Sequence, residues 1–582
     1  MHRRKSVLFA TLLLILSTTV HADWIKDSDT ITLKVLREQA KFSPEAVAAQ
    51  GLADFDAEVF DARAGVYQRQ LESNKSLISD LSRKLKNAKH PKIRQDIQIL
   101  ITALEDENET QRLERQYLLP YVSLSEELFG SFHALLDPRS DKARYPAALQ
   151  RLRKYTGEAK GYEPITDLVK KRTEERFAAK NLTGPYKKQV LTDLDNTERY
   201  ARGMRDVFRD SNLQGWEADL KLLLEQLATY NQWVRDEILP RSREQNQLPE
   251  AIYTNNLKNF GVYASPQELI SIAQHNYQLL RNQMKAVARQ IAAQRGWKNN
   301  DLVSVVAELK KEQIPPEKIL AAYQQRLASL EEIIRRENIV TLPKRDASIR
   351  LATEAESAAV PAPFMSPPQL IGNTGQYGEF VLVQTNPGME GEAKMDDWSH
   401  ESITWSLTVH EARPGHELQF TSLVENGTSM ARAIYAFNSA NAEGWGLYSE
   451  SLMQEFLPLE GQLFALFTQL MRAGRMFMDP MVNTGQMTPQ QAVSFMTEQV
   501  GLSTAMANSE ADRYSFRAPG QATSYYYGFI NLMRLRTEVE AVLGLKFNQR
   551  EFHDFILEQG LLPPDLLREA VLDHFAPSGN PK

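Results

Sequence analysis

The sequence predicts a mainly α-helical protein carrying one small β element. Apolar residues recur at helical spacing through most of the first 340 positions, and no repeat of fixed period interrupts them. After about residue 345 the composition turns rich in Pro and Gly around one β-branched run. Of the 582 residues, 42% are hydrophobic and 24% charged, which fits a folded chain.

Met1 to Ala22 reads as a cleaved secretory signal. His2-Arg3-Arg4-Lys5 is a basic start, Val7 to Leu16 an apolar run too short to span a membrane, and Val20-His21-Ala22 ends on a small residue. No cysteine is present, which excludes a cysteine-linked lipid, disulfides, thiolate metal sites and cysteine nucleophiles. The expected location is the periplasm or the extracellular space. The formal charge is −6, and −9 once Arg3, Arg4 and Lys5 are removed with the signal. An acidic surface argues against nucleic acid as a partner.

Leu71, Ile78, Leu81 and Leu85 form one helical stripe, and Ile93, Ile97, Leu100 and Leu104 form the next. Asn87-Ala88-Lys89-His90-Pro91 between them predicts a helical hairpin. Further helices are expected near 187–210, 215–237, 266–295 and 316–337. His90, His133 and His275 stand alone and read as structural. Val360-Pro361-Ala362-Pro363 and Ser366-Pro367-Pro368 disfavour helix, and Phe380 to Asn386 reads as a strand closed by the turn Asn386-Pro387-Gly388.

The chemistry concentrates in Val409-His410-Glu411-Ala412-Arg413-Pro414-Gly415-His416-Glu417-Leu418-Gln419. Histidine is the commonest neutral nitrogen ligand for zinc, and a glutamate beside the first ligand can take a proton from water. The second histidine comes six residues after the first, not four. On a straight helix the two rings would point about 120° apart. Pro414 cannot donate to the carbonyl of His410, and Gly415 frees the backbone, so the pair would break the helix and swing His416 back. The alternative is a helix end followed by a new helix, with both histidines merely polar.

A helix is expected from about Met430 to Gln454, with Ala433, Ala436, Ala440 and Gly444 as a small-residue stripe. It places Glu443 and Glu450 on one face. A carboxylate on the helix after His416 suits the third position of a His-His-Glu zinc site that leaves one position for water. Glu450 would hydrogen-bond a ligand histidine. Further on, Arg513 or Arg517 could bind a substrate carboxylate, and a tyrosine among Tyr525, Tyr526 and Tyr527 could donate to an oxyanion. His553 and His574 have no supporting spacing.

The stretch His410 to Gln419 resembles the H-E-x-x-P-G-H-x-L-Q signature of bacterial domain-of-unknown-function family 885. Glu443-Gly444-Trp445-Gly446-Leu447-Tyr448-Ser449-Glu450 is similar to its second signature, and Arg513 to Gly528 to its third. That family resembles helical zinc peptidases such as thimet oligopeptidase and Taq carboxypeptidase. The resemblance implies a large zincin-like helical fold with a deep cleft and a small β-hairpin or sheet near the metal. It also implies one zinc ion per chain on His410, His416 and Glu443, with Glu411 as general base and Tyr525 at the family's tyrosine position. An edge strand beside the zinc helix would line the cleft and hold an extended peptide. The chain then divides into signal 1–22, a helical region 23–345 and a catalytic zinc-binding region 346–582. The expected function is an exported zinc metallopeptidase acting on a peptide or small amide. The alternatives are a hydrolase of non-peptide amides or esters and a non-catalytic binding protein. No G-x-S-x-G or Walker A motif supports serine-hydrolase or P-loop chemistry.

Overall fold

A computed structural model of the chain describes residues 24–360, 362–383 and 395–576. The expected signal segment and the turn at Asn386-Pro387-Gly388 lie outside these residues. The described chain is mainly helical, with three short strands. None of its helices is long and apolar enough to cross a membrane.

The hairpin forms where its sequence places it. Helix α1 (Val66–Asn87) ends, and α2 (Pro91–Tyr117) begins with Pro91 in its first turn. Leu77 and Leu81 of α1 meet Ile97, Leu100 and Leu104 of α2 in a small core of their own. Each such side chain contributes roughly 1.5–3 kcal/mol on burial. The long helices expected further on are present, among them α3 (Pro266–Arg295) and α4 (Pro316–Arg336). Both belong to the main core, whose members run from Tyr253 to Val571 with Ile99 added from α2, while Leu124 to Ile238 supply a second core.

The middle of that core is α8 (Leu459–Asn483), preceded by α5 (Ile403–Glu411), α6 (His416–Glu425) and α7 (Ser439–Met453), and followed by α9 (Ser524–Leu543). From Leu463 to Pro480 every residue of α8 is buried. Helix α3 packs along it, and α5 and α9 lean on its other sides. The helix expected over 430–454 is broken. Ala431–Tyr435 makes a single wide turn, and Asn438, in extended conformation, caps α7 by accepting the N–H of Asn441. An asparagine side chain that satisfies a first-turn donor starts a new helix rather than continuing the old one.

Strands β1 (Ser348–Leu351), β2 (Phe364–Ser366) and β3 (Glu379–Leu382) form one sheet in the order β1-β3-β2. β3 runs parallel to β1 and antiparallel to β2, with Phe380 opposite both Ile349 and Met365. The expected edge strand is therefore the middle one. Over Glu379–Val381 its backbone is paired on both sides, so that part has no free row of donors and acceptors for a peptide, and the expected continuation through Gln384-Thr385-Asn386 lies outside the described residues. The fully buried Phe380 meets the ring of Tyr323 on α4 edge-on at 5.6 Å, and α4 packs on α5. The sheet thus backs the motif helix through α4.

Candidate metal centre

The last turn of α5 carries His410 and Glu411, and the first residue of α6 is His416. Between them the chain doubles back. The Arg413–Pro414 peptide is cis, and the N–H of Gly415 returns to the carbonyl of Val409 at 3.0 Å. A Cβ on Gly415 would sit 2.0 Å from the carbonyl oxygen of His410 and 2.3 Å from that of Val409. Glycine is required by close approach, since its φ is −76°. The Pro414 carbonyl accepts the indole N–H of Trp445 at 2.9 Å, fastening the reversal to α7. Arg413, fully buried, binds Glu417 at 2.8 Å and also pairs with Glu331 on α4.

The reversal brings the two rings to a centroid distance of 4.7 Å, nearly perpendicular. The Nε2 atoms of His410 and His416 each lie 3.3 Å from Glu443 Oε2, and the three ligand atoms all fall within 4.8 Å of one another. A tetrahedron with zinc bond lengths of 2.0–2.1 Å has edges of about 3.3 Å. The two histidine–glutamate separations match such an edge, so the donor set and its spacing both fit a zinc ion.

The electrostatics fit as well. Burial disfavours a charged His410, yet contacts with Glu443 and Glu450 outweigh it and push the ring up to about 9. The pocket thus demands positive charge between these carboxylates, which a divalent cation meets with neutral imidazoles. Glu450 accepts from His410 Nδ1 at 2.7 Å and from Ser406 Oγ at 2.6 Å, and Thr468 also donates to it. Burial opposes its ionisation, but Arg472 and His410 hold it below the ordinary carboxylate range. Glu450 therefore fixes which ring nitrogen of His410 carries the proton and frees Nε2 as a lone-pair donor. Glu450→Gln should leave folding intact and weaken zinc binding roughly 10–100-fold, read by competition with a chromophoric chelator. Unchanged affinity would show that Glu450 has no hold on the ligand.

Gly446 lies one helical turn before Glu450. A Cβ there would meet His410 Cε1 at 2.6 Å, so this glycine leaves the space that the His410 ring occupies. Glu443 and Glu450 flank it on the face of α7 that touches His410. Glu411 is buried, and that burial raises its pKa, with the two histidines acting in the opposite sense. A carboxylate held there is a better proton acceptor than one in water.

Of the three consecutive tyrosines, Tyr525 faces the centre. Its ring stacks 6.3 Å from that of His410, whereas Tyr526 packs against Phe529. Burial and the charge of Glu443 raise the Tyr525 pKa, so its hydroxyl stays protonated. Arg513 donates to that hydroxyl at 3.3 Å, and its side chain is 23% exposed. Arg472 and Arg475 of α8 lie at 5.8 and 4.7 Å from the same ring. Arg475 is bound by Glu510 through two contacts of 2.7 and 2.6 Å. Arg517 acts on Glu126 and Asp193 of the N-terminal half.

Sequence reasoning missed the contribution of α8. Thr468, Arg472, Arg475 and Asp479 lie at i, i+4, i+7 and i+11 in an otherwise apolar run, a polar stripe on one helical face. A buried stripe of that kind marks a site rather than a solvated surface. Asp479 ends it, accepting the N–H of Gly520 at 3.0 Å and the hydroxyl of Tyr253 at 3.0 Å. That anchors the turn leading into α9, where Gly520 has φ +97°. His553 has a structural place: it bonds Tyr448 OH and the carbonyl of Ile339, each at 2.8 Å.

Residues 44–571 match the DUF885 family, bacterial proteins of unknown function. No curated protein matches the chain. A solved candidate lipoprotein of unknown function from Shewanella oneidensis is similar, with 17% identity and a TM-score of 0.71 over 94% of this chain and 98% of that one. A candidate lipoprotein from Colwellia psychrerythraea is also similar, with 17% identity and a TM-score of 0.74 over 95% and 99% of the two chains. At that identity the likeness concerns the fold.

Proposed function

We propose, for a chain that belongs to the DUF885 family of bacterial proteins, the role of an exported zinc-dependent hydrolase that cleaves peptide bonds. The observation that carries this reading is the convergence of His410, His416 and Glu443 within 4.8 Å beside the buried, unligated carboxylate of Glu411. A purely structural zinc takes four protein ligands and needs no neighbouring base, which weighs against a binding protein without turnover.

Zinc held by these three residues supplies Lewis acidity, acidifying water and polarising a carbonyl oxygen. Glu411 takes the proton of the attacking water at its carboxylate and returns it to the nitrogen of the leaving amine. Glu450 keeps His410 oriented through Nδ1. The Tyr525 hydroxyl, steadied by Arg513, donates to the carbonyl oxygen as it gains negative charge. Arg513 is the residue assigned to a substrate carboxylate, because it is partly exposed and has only a loose contact, 3.9 Å, with Glu510. Export rests on the basic, apolar and small-residue order of positions 1–22, and it accords with the description of both solved relatives as candidate lipoproteins.

Metal analysis of the purified mature protein, paired with digestion of a mixed peptide library, tests the reading. The expected result is one zinc per chain, cleavage of part of the library, loss of cleavage after chelation, and recovery with zinc. A folded protein that takes up no metal, or a zinc-loaded one that cleaves nothing in the library, would overturn it.

A further inference from the structure

From Ala436 to Gly444, the stretch that leads into α7 and forms its first turn and a half, every residue is buried except two. One is Glu443, whose side chain is 18% exposed. The other is Phe437, 52% exposed although it stands between buried Ala436 and Asn438. Single apolar side chains are common on protein surfaces, so exposure by itself marks nothing. The setting of Phe437 is what distinguishes it.

The backbone on either side of it is pinned. The Asn438 amide donates to the carbonyls of Ala436 at 3.0 Å and Leu561 at 3.1 Å, and its side-chain oxygen accepts the N–H of Asn441 at 2.8 Å. The Phe437 ring lies 6.4 Å from that of Phe420. Phe420, one turn after His416 on α6, lies 6.5 Å from the His416 ring. Phe420 is buried in a small apolar cluster with Leu423 and Ala433, against which Met365 of β2 and Ile434 pack partly buried. Two apolar rings therefore lead from the surface to His416. The row of rings continues through His410, 4.7 Å from His416, to Tyr525, 6.3 Å from His410. It is apolar at the Phe437 end and, through Arg513, cationic at the Tyr525 end.

We infer that Phe437 and Phe420 form the subsite for a large apolar side chain of the substrate, and that Phe437 is the residue that selects it. This assignment rests on the hydrolase reading and gives its substrate class: peptides with an aromatic or large aliphatic residue close to the cleaved bond. Each of the two ring-to-ring steps from His416 spans about two residues of extended chain, at roughly 3.3–3.6 Å per residue. The selected residue thus stands within about four residues of that bond, on one side of it. A substrate ring laid on Phe437 would cover its exposed face, and paired aromatic rings gain more than their buried area alone supplies. Little order has to be imposed on binding, because the segment that carries Phe437 is already fixed.

Digestion of a mixed peptide library by the zinc-loaded mature protein, with the cut sites read by mass spectrometry, is the first measurement. The sites should be enriched for Phe, Tyr, Trp, Leu or Met at one position within four residues of the cut. Two peptides that differ only there, Phe against Ala, then give kcat/KM. The unaltered protein should favour the Phe peptide roughly tenfold, mainly through KM. Phe437→Ala should keep one zinc per chain and bring the ratio close to one, by losing on the Phe peptide. Phe437→Leu should restore part of the preference, and Phe437→Lys should move it toward Glu at that position. Cleavage with no apolar preference would overturn the inference and leave the hydrolase reading standing. So would a Phe437→Ala protein that keeps the preference, or one that loses equally on both peptides with zinc still bound. A zinc-loaded protein that cleaves nothing would overturn the hydrolase reading and this assignment with it.

Discussion

Glu411→Gln should retain one zinc per chain, fold normally and lose at least about 10²–10⁴-fold in turnover, the loss typical of removing a general base. The substitution keeps the size and hydrogen-bonding reach of the side chain and removes only its basicity. The structure gives the reason to expect separation of metal binding from rate. Glu411 is absent from the set of three ligand atoms, yet it is buried beside them. Metal analysis and an initial-rate assay on any peptide found in the library digest make the measurement. Release of zinc would make Glu411 a ligand. Unchanged hydrolysis with zinc still bound would make another group the base.

Gly415→Ala should be nearly as damaging by an unrelated route. The added Cβ has nowhere to go, because the obstacle at 2.0 Å is the backbone carbonyl of His410 rather than a flexible side chain. The reversal between α5 and α6 must open, which moves His416 away from Glu443. Overpacking of this kind costs typically about 1–3 kcal/mol, and a backbone obstacle puts this case at the upper end or beyond. Zinc content should fall well below one per chain and thermal unfolding should come earlier. Gly446→Ala supplies the finer test, since its nearest obstacle is the His410 ring at 2.6 Å. It should leave the fold in place and weaken zinc binding. Full metal content and unchanged unfolding in Gly415→Ala would show that the close approach does not shape the site.

What could be read in the sequence and what could not divides along physical lines. The α1–α2 hairpin was legible because its stripes are local and Pro91 marks the joint. The pairing of His410 with His416 was legible because Pro414 and Gly415 sit between them and a straight helix separates the rings. The break before α7 was not, because Ala433, Ala436 and Ala440 keep an unbroken helical pattern and only Asn438 signals a new start. The place of β3 was also hidden. Its partners Ser348–Leu351 and Phe364–Ser366 lie far off in sequence, and a strand's own residues do not say how many neighbours it has. The three tyrosines differ by about 100° each around α9, so one faces His410 and Glu443, but which one depends on how α9 packs. The arginines of α8 were passed over because an apolar helix draws attention to its apolar residues.

The contact between α7 and α9 has a consequence for folding fidelity. A Cβ on Gly528 would lie 1.9 Å from the carbonyl oxygen of Ala440, and one on Gly444 would lie 2.7 Å from the Gly528 backbone. The two helices therefore touch backbone to backbone at one point, with Glu443 beside it on one helix and Tyr525 three residues before it on the other. Sliding α9 by one residue would force Tyr527 or Phe529 into a space that holds no side chain at all. A slipped register would meet that steric exclusion. The spacing between Glu443 and Tyr525 is thus set by two glycines that carry no chemistry of their own.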